Sequence, residues 1–331
     1  MSENGKTAGG SVHEGEFGFI ERHLRPLAQG KPGALDLADD AALLEPAAGM
    51  QLVIAKDAMV EGVHFLPHDP AGEIAQKLLR TNLSDMAAMG ATPTGYLLAL
   101  MRPKRLPPEW LERFCQGLAE DQAVFGVTLL GGDTVSTPGP LALSATMLGE
   151  TPRGQGLRRG GARVGDDVYV SGTLGDAALG LKVLQGRLSP PMTASNFLIS
   201  RYRLPAPRVE LGEVLRGLAH AAIDISDGLL ADLGHLLEVS GRGAVVQAHH
   251  LPISKAAASQ RGNLEAALGG GDDYELLFTA HPEQRPALRA IGQELSLPLT
   301  VIGQITEAPG LDVLDANGHS IAIDELGWRH F

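Results

Sequence analysis

Apolar positions along this chain follow two rhythms, one of period two and one of period three to four, broken by glycine-rich loops. From residue 17, FGFIERHLRPLA reads as a short helix, and a Gly/Pro loop follows. QLVIAKDAMV predicts a strand. In AGEIAQKLLRTNLSDMAAMGA the residues Ile74, Leu78, Leu79, Asn82, Asp85, Met86 and Met89 recur at helical spacing. GYLLALMRP predicts a strand, and PPEWLERFCQGLAEDQAVFG a helix with proline in its first turn. VTLLGGDTVS and LALSATMLGET predict two further strands.

The segment PRGQGLRRGGARVGD is polar, Gly-rich and Arg-rich, and marks a domain boundary. Beyond it, DVYVSG predicts a strand, with a glycine loop (GTLGDAALG) and a helix after it. In AAIDISDGLLADLGHLLEVSG a short strand turns directly into a helix whose apolar stripe is Leu229, Leu230, Leu233, Leu236 and Leu237. GAVVQAHHLP, YELLFTA, LTVIGQIT, LDVLD and SIAI predict strands, the last two joined by an Asn-Gly turn. Strands and helices mix without a regular βαβ beat, so the expected class is α+β rather than doubly wound. The expected division is a disordered tail over 1–16, an N-terminal domain over 17–152 and a C-terminal domain over 153–331.

A formal net charge of -12, with no Lys/Arg cluster, disfavours a nucleic-acid or anionic-membrane surface. A divalent metal can still bridge such a protein to a polyphosphate. The single cysteine, Cys115, excludes an internal disulfide and a cysteine zinc cluster, and its helical setting predicts a core residue. No run approaches membrane-spanning length and no signal-peptide core opens the chain, so a cytoplasmic location is expected.

Five aspartates stand in unusual places. Asp57 interrupts a strand, Asp85 lies on a largely apolar helix face, and Asp133 is expected to end a strand after two glycines. Asp224 sits in the AAIDIS strand, and Asp40 follows a loop. A carboxylate that loses its hydration on such a face costs several kcal/mol unless something balances it. Each alone reads equally well as a turn, a cap or an edge charge. As a set on separate elements they read as hard oxygen ligands suited to Mg²⁺ or Mn²⁺, with positions left for water and phosphate. Ser226 and Asp227 precede a helix, where N-capping and phosphate binding are both open readings. GGGDDYELLF is a further loop of that kind. His249 and His250 are adjacent and would face opposite sides of a strand, a poor metal pair. The chain has no P-loop, no protein-kinase motif set, no GxGxxG opening a helix, no HExxH and no nucleophile elbow.

Taken in order, DDAALL, KDAMVEGVHFLP, NLSDMAAMGA, LLGGDT, RRGGARVGD, AIDISDGLLADLGH and GGGDDYELLF resemble the thiamine-monophosphate kinases. These belong to a superfamily with aminoimidazole ribonucleotide synthetase, selenophosphate synthetase and a hydrogenase maturation factor. The resemblance runs from GEFGFIERHL to GWRHF, nearly the whole chain. It implies a two-domain α+β architecture, with an N-terminal α/β domain that pairs strands across a homodimer. ATP and several Mg²⁺ ions would lie in the cleft between the domains. By motif match, Asp40, Asp57, Asp85, Asp133, Asp224 and Asp227 would ligate metal. Gly132, Asp133, Arg159 and Ser226 would contact ATP; His64, Asp272 and Trp328 would contact thiamine phosphate. Three positions depart from the family pattern: Ala38 where glycine is usual, Lys56 where some members offer a hydroxyl, and Asp272 where glutamate is common.

The reaction so implied is ATP-dependent phosphorylation of thiamine monophosphate by direct in-line transfer, with no acid/base or nucleophilic residue. The rivals are another ATP-using superfamily member, a Mg-dependent phosphatase and a non-enzymatic Mg–nucleotide sensor. The cysteine chemistry of the selenophosphate and hydrogenase-maturation proteins is absent: no cysteine lies near the N-terminus, and the chain ends in Arg329, His330 and Phe331.

Overall fold

The computed structural model describes residues 16–321. The expected tail up to residue 15, and Trp328 with the rest of 322–331, lie outside the described residues.

The predicted opening helix is α1 (Glu16–Phe19), continued by a π turn over Ile20–Leu24 and 3₁₀ turns over Arg25–Ala28 and Pro32–Leu37. Pro26 and Pro32 fit only the first turns of helical segments, which accounts for the short pieces. Then come β1 (Met50–Val60), α2 (Ala71–Ala88), β2 (Thr92–Pro103), α3 (Pro108–Phe125), β3 (Leu129–Thr137) and β4 (Ala142–Pro152). They build a four-stranded sheet in the order β1-β4-β2-β3, antiparallel except for the parallel pair β2–β3.

The C-terminal half runs β5 (Asp167–Ser171), α4 (Asp176–Leu184), α5 (Met192–Arg203), α6 (Val209–Val214), β6 (Ala219–Asp224) and α7 (Leu229–Ser240). It continues with β7 (Gly243–Gln247), α8 (Lys255–Ala258), α9 (Asn263–Gly269), β8 (Leu276–Ala280), α10 (Arg285–Glu294), β9 (Leu299–Thr306) and β10 (Gly310–Leu314). Its six-stranded sheet has the order β10-β7-β9-β5-β8-β6, with only β10–β7 parallel. The α+β class and the two-domain architecture hold.

Several details differ from the pattern of the chain. Asp133 lies in the middle of β3 rather than at its end. The strand predicted through His249 and His250 stops at Gln247, and both histidines sit on a 3₁₀ turn over Ala248–His250. The YELLFTA strand starts only at Leu276, because Asp272 and Tyr274 take φ of 68° and 50°, outside the extended region. Of SIAI only Ser320 and Ile321 are described, and Ser320 bridges to Leu314 across the expected Asn-Gly turn.

Helix α2 packs an apolar face on the first sheet. Leu78, Leu79 and Leu83 are wholly buried there with Tyr96, Phe114 and Leu143. Each buried leucine contributes roughly 1.5–3 kcal/mol. The second core gathers Val168, Ile223, Leu233, Leu277 and Ile302 between the six-stranded sheet and α7. A third cluster joins Ala87 and Ala88 of α2 to Leu211, Leu215 and Phe278 of the C-terminal half. Helix α2 is therefore anchored in both domains. No helix among the described residues is long and apolar enough to cross a membrane.

Candidate active site

The side of α2 turned to the C-terminal domain carries a polar stripe, Lys77, Thr81, Ser84 and Asp85, at helical spacing. Lys77 and Ser84 reach other elements, while the Thr81 hydroxyl donates to the Leu78 carbonyl of its own helix at 3.1 Å. Asn82, beside them, receives the N–H of Asp57 on its Oδ1 at 3.1 Å and donates to the Leu78 carbonyl at 2.9 Å. The hydroxyl of Ser84 donates to Asp224 Oδ2 at 2.7 Å, from one domain to the other.

The stripe gathers three carboxylates that perturb one another. Burial raises the Asp85 carboxyl to about 8, helped by the charges of Asp224 and Asp57 and opposed by Arg159. Burial also raises Asp224 to about 6; the Ser84 bond lowers it, Asp57 raises it and Arg159 lowers it. Asp57 is raised by burial too, with the nearby Thr81 hydroxyl and His64 acting to lower it. The exposed Arg159 is the cation both Asp85 and Asp224 feel.

Ser226 and Asp227 follow Asp224 in a tight loop before α7. The loop is organised by Asp232, one turn into the helix. Its Oδ2 accepts the N–H groups of Ser226, Asp227 and Gly228 at 3.0, 3.0 and 3.1 Å. Those donors are thus already bound, and Asp227 does not cap the helix; the cap residue is Gly228 at φ 123°. Burial lifts Asp232 to about 7, aided by Asp224 and Asp227, while the backbone bonds hold it down. The GGGDD loop packs backbone to backbone on this one. The N–H of Asp272 donates to the Ser226 carbonyl at 2.8 Å, and a Cβ on Gly271 would come within 2.6 Å of the same oxygen.

Two of the residues expected to meet thiamine phosphate, His64 and Asp272, meet at one lysine. His64 accepts the Val60 N–H on Nδ1 at 3.0 Å. Asp272 Oδ2 pairs with Lys77 Nζ at 2.9 Å, and Lys77 also donates to the His64 carbonyl at 3.0 Å. His64 and Asp272, far apart in sequence, are thus brought together; Trp328 lies outside the described residues.

Asp40 and Asp133 are not drawn into the Asp57–Asp85–Asp224 group within this chain. Asp40 is exposed on a bend, its N–H bound to Asp39 Oδ1 at 2.9 Å. Strand register sets Asp133 in the row of Ala99, Ser144 and Ala58, and Asp57 in the adjacent row with Ala145. Adjacent rows alternate between faces, so Asp133 and Asp57 project from opposite faces of the sheet. Gly132 also has a packing reason: a Cβ there would lie 1.9 Å from the Leu98 carbonyl oxygen. Lys56 is exposed and reaches Thr146 Oγ1 at 3.4 Å.

Among the described residues no three His, Cys, Asp or Glu side chains are gathered closely enough to form a protein-only metal cage. The donor set nevertheless fits Mg²⁺: hard carboxylates, desolvated, mutually repelling, with one exposed arginine nearby. Such a site takes part of its coordination from water and phosphate.

Residues 38–151 match the model of the AIR synthase related protein N-terminal domain, and 163–316 that of the C-terminal domain. The chain is 44% identical to the thiamine-monophosphate kinase of Caulobacter vibrioides, over 100% of this chain and 95% of that one. The chain belongs to the thiamine-monophosphate kinase family. It is a phosphotransferase of the AIR synthase-related superfamily. The crystal structure of the Stenotrophomonas maltophilia K279a thiamine-monophosphate kinase superposes with a TM-score of 0.80 at 46% identity, covering 86% of this chain and 90% of that one. The complex of AaThiL with AMPPCP and TMP superposes at 0.77 with 32% identity, covering 96% and 97%.

Four residues of this candidate site go unnoticed in the sequence: Lys77, Thr81, Ser84 and Asp232. The first three carry a signal in hindsight, since polar residues at i, i+4 and i+7 line one side of a helix otherwise rich in apolar positions. Asp232 carries none, because an acidic residue in a helix's first turn is ordinary.

Proposed function

We propose that this chain transfers the γ-phosphoryl group of ATP to thiamine monophosphate, giving thiamine diphosphate and ADP. The observation that carries the reading is the interdomain group of Asp57, Asp85 and Asp224, all desolvated, with Arg159 acting on Asp85 and Asp224. Such a group is costly unless a cationic ligand occupies it. The family relative solved with AMPPCP and TMP supports a nucleotide and a thiamine phosphate as the ligands.

Asp57, Asp85, Asp224 and Asp227 would hold Mg²⁺ at the cleft, and Asp40 and Asp133 are assigned to the same role by motif. Bound Mg²⁺ would neutralise phosphate charge and align the attack. Arg159 would offer its guanidinium to the nucleotide phosphates, and Ser226 and Gly132 would contact ATP. His64, Asp272 and Trp328 would orient the thiamine phosphate. The acceptor is largely an anion at neutral pH, since phosphate monoesters have a second pKa of about 6. Its oxygen attacks the γ-phosphorus as the bond to the bridging oxygen breaks, so no side chain need remove a proton. Cys115 is unsuited to act as a nucleophile: it is buried, and its thiol is pushed up to about 12.

We assign the domains to 17–152 and 153–331, in keeping with the two family matches. A homodimer is the proposed assembly. The sheet face away from α2 leaves Leu52, Ile54, Leu97 and Val135 exposed by 42%, 63%, 39% and 45%. An apolar patch of that kind marks an interaction surface.

The test is an acceptor series with ATP and Mg²⁺, products resolved by chromatography. Thiamine monophosphate should be converted and free thiamine should not. Efficient phosphorylation of thiamine, or release of phosphate without an acceptor, would sink the reading.

A further inference from the structure

Resting on that reading, we propose that Lys77 is a positioning residue that holds Asp272 and the His64 segment together as one substrate wall spanning both domains. Its side chain is only 3% exposed. An ammonium buried that far is tolerated only when its charge and donors are matched. All three N–H groups have a destination: Asp272 Oδ2 at 2.9 Å, the His64 carbonyl at 3.0 Å, and the face of Tyr202, whose centroid lies 3.9 Å from Nζ. Tyr202 is itself buried, and its hydroxyl lies 3.4 Å from the same His64 carbonyl.

The elements joined are distant in the chain. Lys77 belongs to α2, His64 to the loop after β1, Tyr202 to α5, and Asp272 to the loop before β8. Asp272 is 31% exposed and sits at φ 68°, a conformation that costs an aspartate about 1 kcal/mol or more unless its surroundings fix it. Its N–H is tied to Ser226, and Lys77 ties its carboxylate. With only two side-chain torsions, one such bond fixes where the remaining oxygen points. Removal of Lys77 frees that carboxylate to turn into water.

A purely structural ion pair makes a different prediction: its loss changes stability and leaves the two KM values moving together. The experiment compares Lys77→Met, Lys77→Gln, Asp272→Asn and the Lys77→Met/Asp272→Asn double variant by steady-state kinetics with ATP and thiamine monophosphate, and by thermal unfolding. Lys77→Gln keeps a donor for the His64 carbonyl, so it guards against a misfolded Lys77→Met. Lys77→Met and Lys77→Gln should raise KM for thiamine monophosphate about tenfold, the effect of one charge-assisted hydrogen bond, with KM for ATP within about twofold. The double variant should be no worse than the more impaired single variant. A KM for thiamine monophosphate that moves with Asp272→Asn but not with either Lys77 variant would overturn the role of Lys77. Independent, multiplying effects would overturn it as well. No effect of Asp272→Asn would instead remove Asp272 from the substrate wall, and no turnover by the unsubstituted enzyme would reject the functional reading itself.

Discussion

Ser84 on α2 and Asp224 at the end of β6 share a 2.7 Å hydrogen bond, the hydroxyl donating to a carboxylate that is only 5% exposed. The bond crosses from the N-terminal to the C-terminal domain. It also offsets part of the cost of keeping Asp224 ionised next to Asp57. Ser84→Ala removes it and leaves the buried carboxylate short of a donor. Denaturant unfolding should show a loss of about 1.5–3 kcal/mol, the usual scale for a bond to a charged group. Unchanged stability would mean that water or another donor takes over the role.

Asp85 illustrates a conflict between stability and function. Its carboxyl rises to about 8 in the folded chain, against an ordinary value near 3.8. The folded state therefore binds more protons than the unfolded state between those values, and stability falls as pH rises through that window. The melting temperature of the protein free of Mg²⁺ and ATP should decline from pH 6 to pH 8.5, by a few degrees on the general scale of such effects. Asp85→Asn should flatten that slope and raise the melting temperature at pH 8, while cutting turnover by about a hundredfold or more. Mg–ATP should stabilise the unsubstituted protein and not the variant. A variant less stable than the parent at pH 8 would contradict the burial argument.

Gly132 tests which of two roles the glycine pair plays. A methyl group there would meet the Leu98 carbonyl at 1.9 Å, on the neighbouring strand. Gly132→Ala should therefore lose stability in the absence of any nucleotide, by about 1–3 kcal/mol on the scale of overpacked sites. Gly131→Ala, whose Cβ would make only a 3.4 Å contact with Leu97, should be milder. Equal stability of the two variants would contradict the packing role.

Much of the fold is legible because β1, β2 and α2 carry clear periodicity, and the glycine loops stand out between them. Asp57, Asp85 and Asp224 are legible as a set because each breaks an apolar pattern. The partners are harder to see. Lys77 looks like an ordinary surface lysine until the fold sets Asp272 and Tyr202 against it, a relation that links residues 195 apart in the case of Asp272. The early end of the GAVVQ strand is also hidden, since a 3₁₀ turn at Ala248–His250 leaves no mark in a run of apolar and histidine residues. The placement of Asp133 on the opposite sheet face depends on a register shift between Tyr96 and Leu97, which periodicity alone does not reveal.

The central claim is a single, direct phosphoryl transfer between two bound ligands, and a single-turnover mixture of enzyme, Mg²⁺, γ-labelled ATP and thiamine monophosphate tests it most directly. The label should pass from ATP to thiamine diphosphate with none held on the denatured protein at any time, and enzyme incubated with labelled ATP alone should stay unlabelled. Label on the protein that chases into thiamine diphosphate at the catalytic rate, or label that leaves as inorganic phosphate while thiamine monophosphate is untouched, would contradict the account.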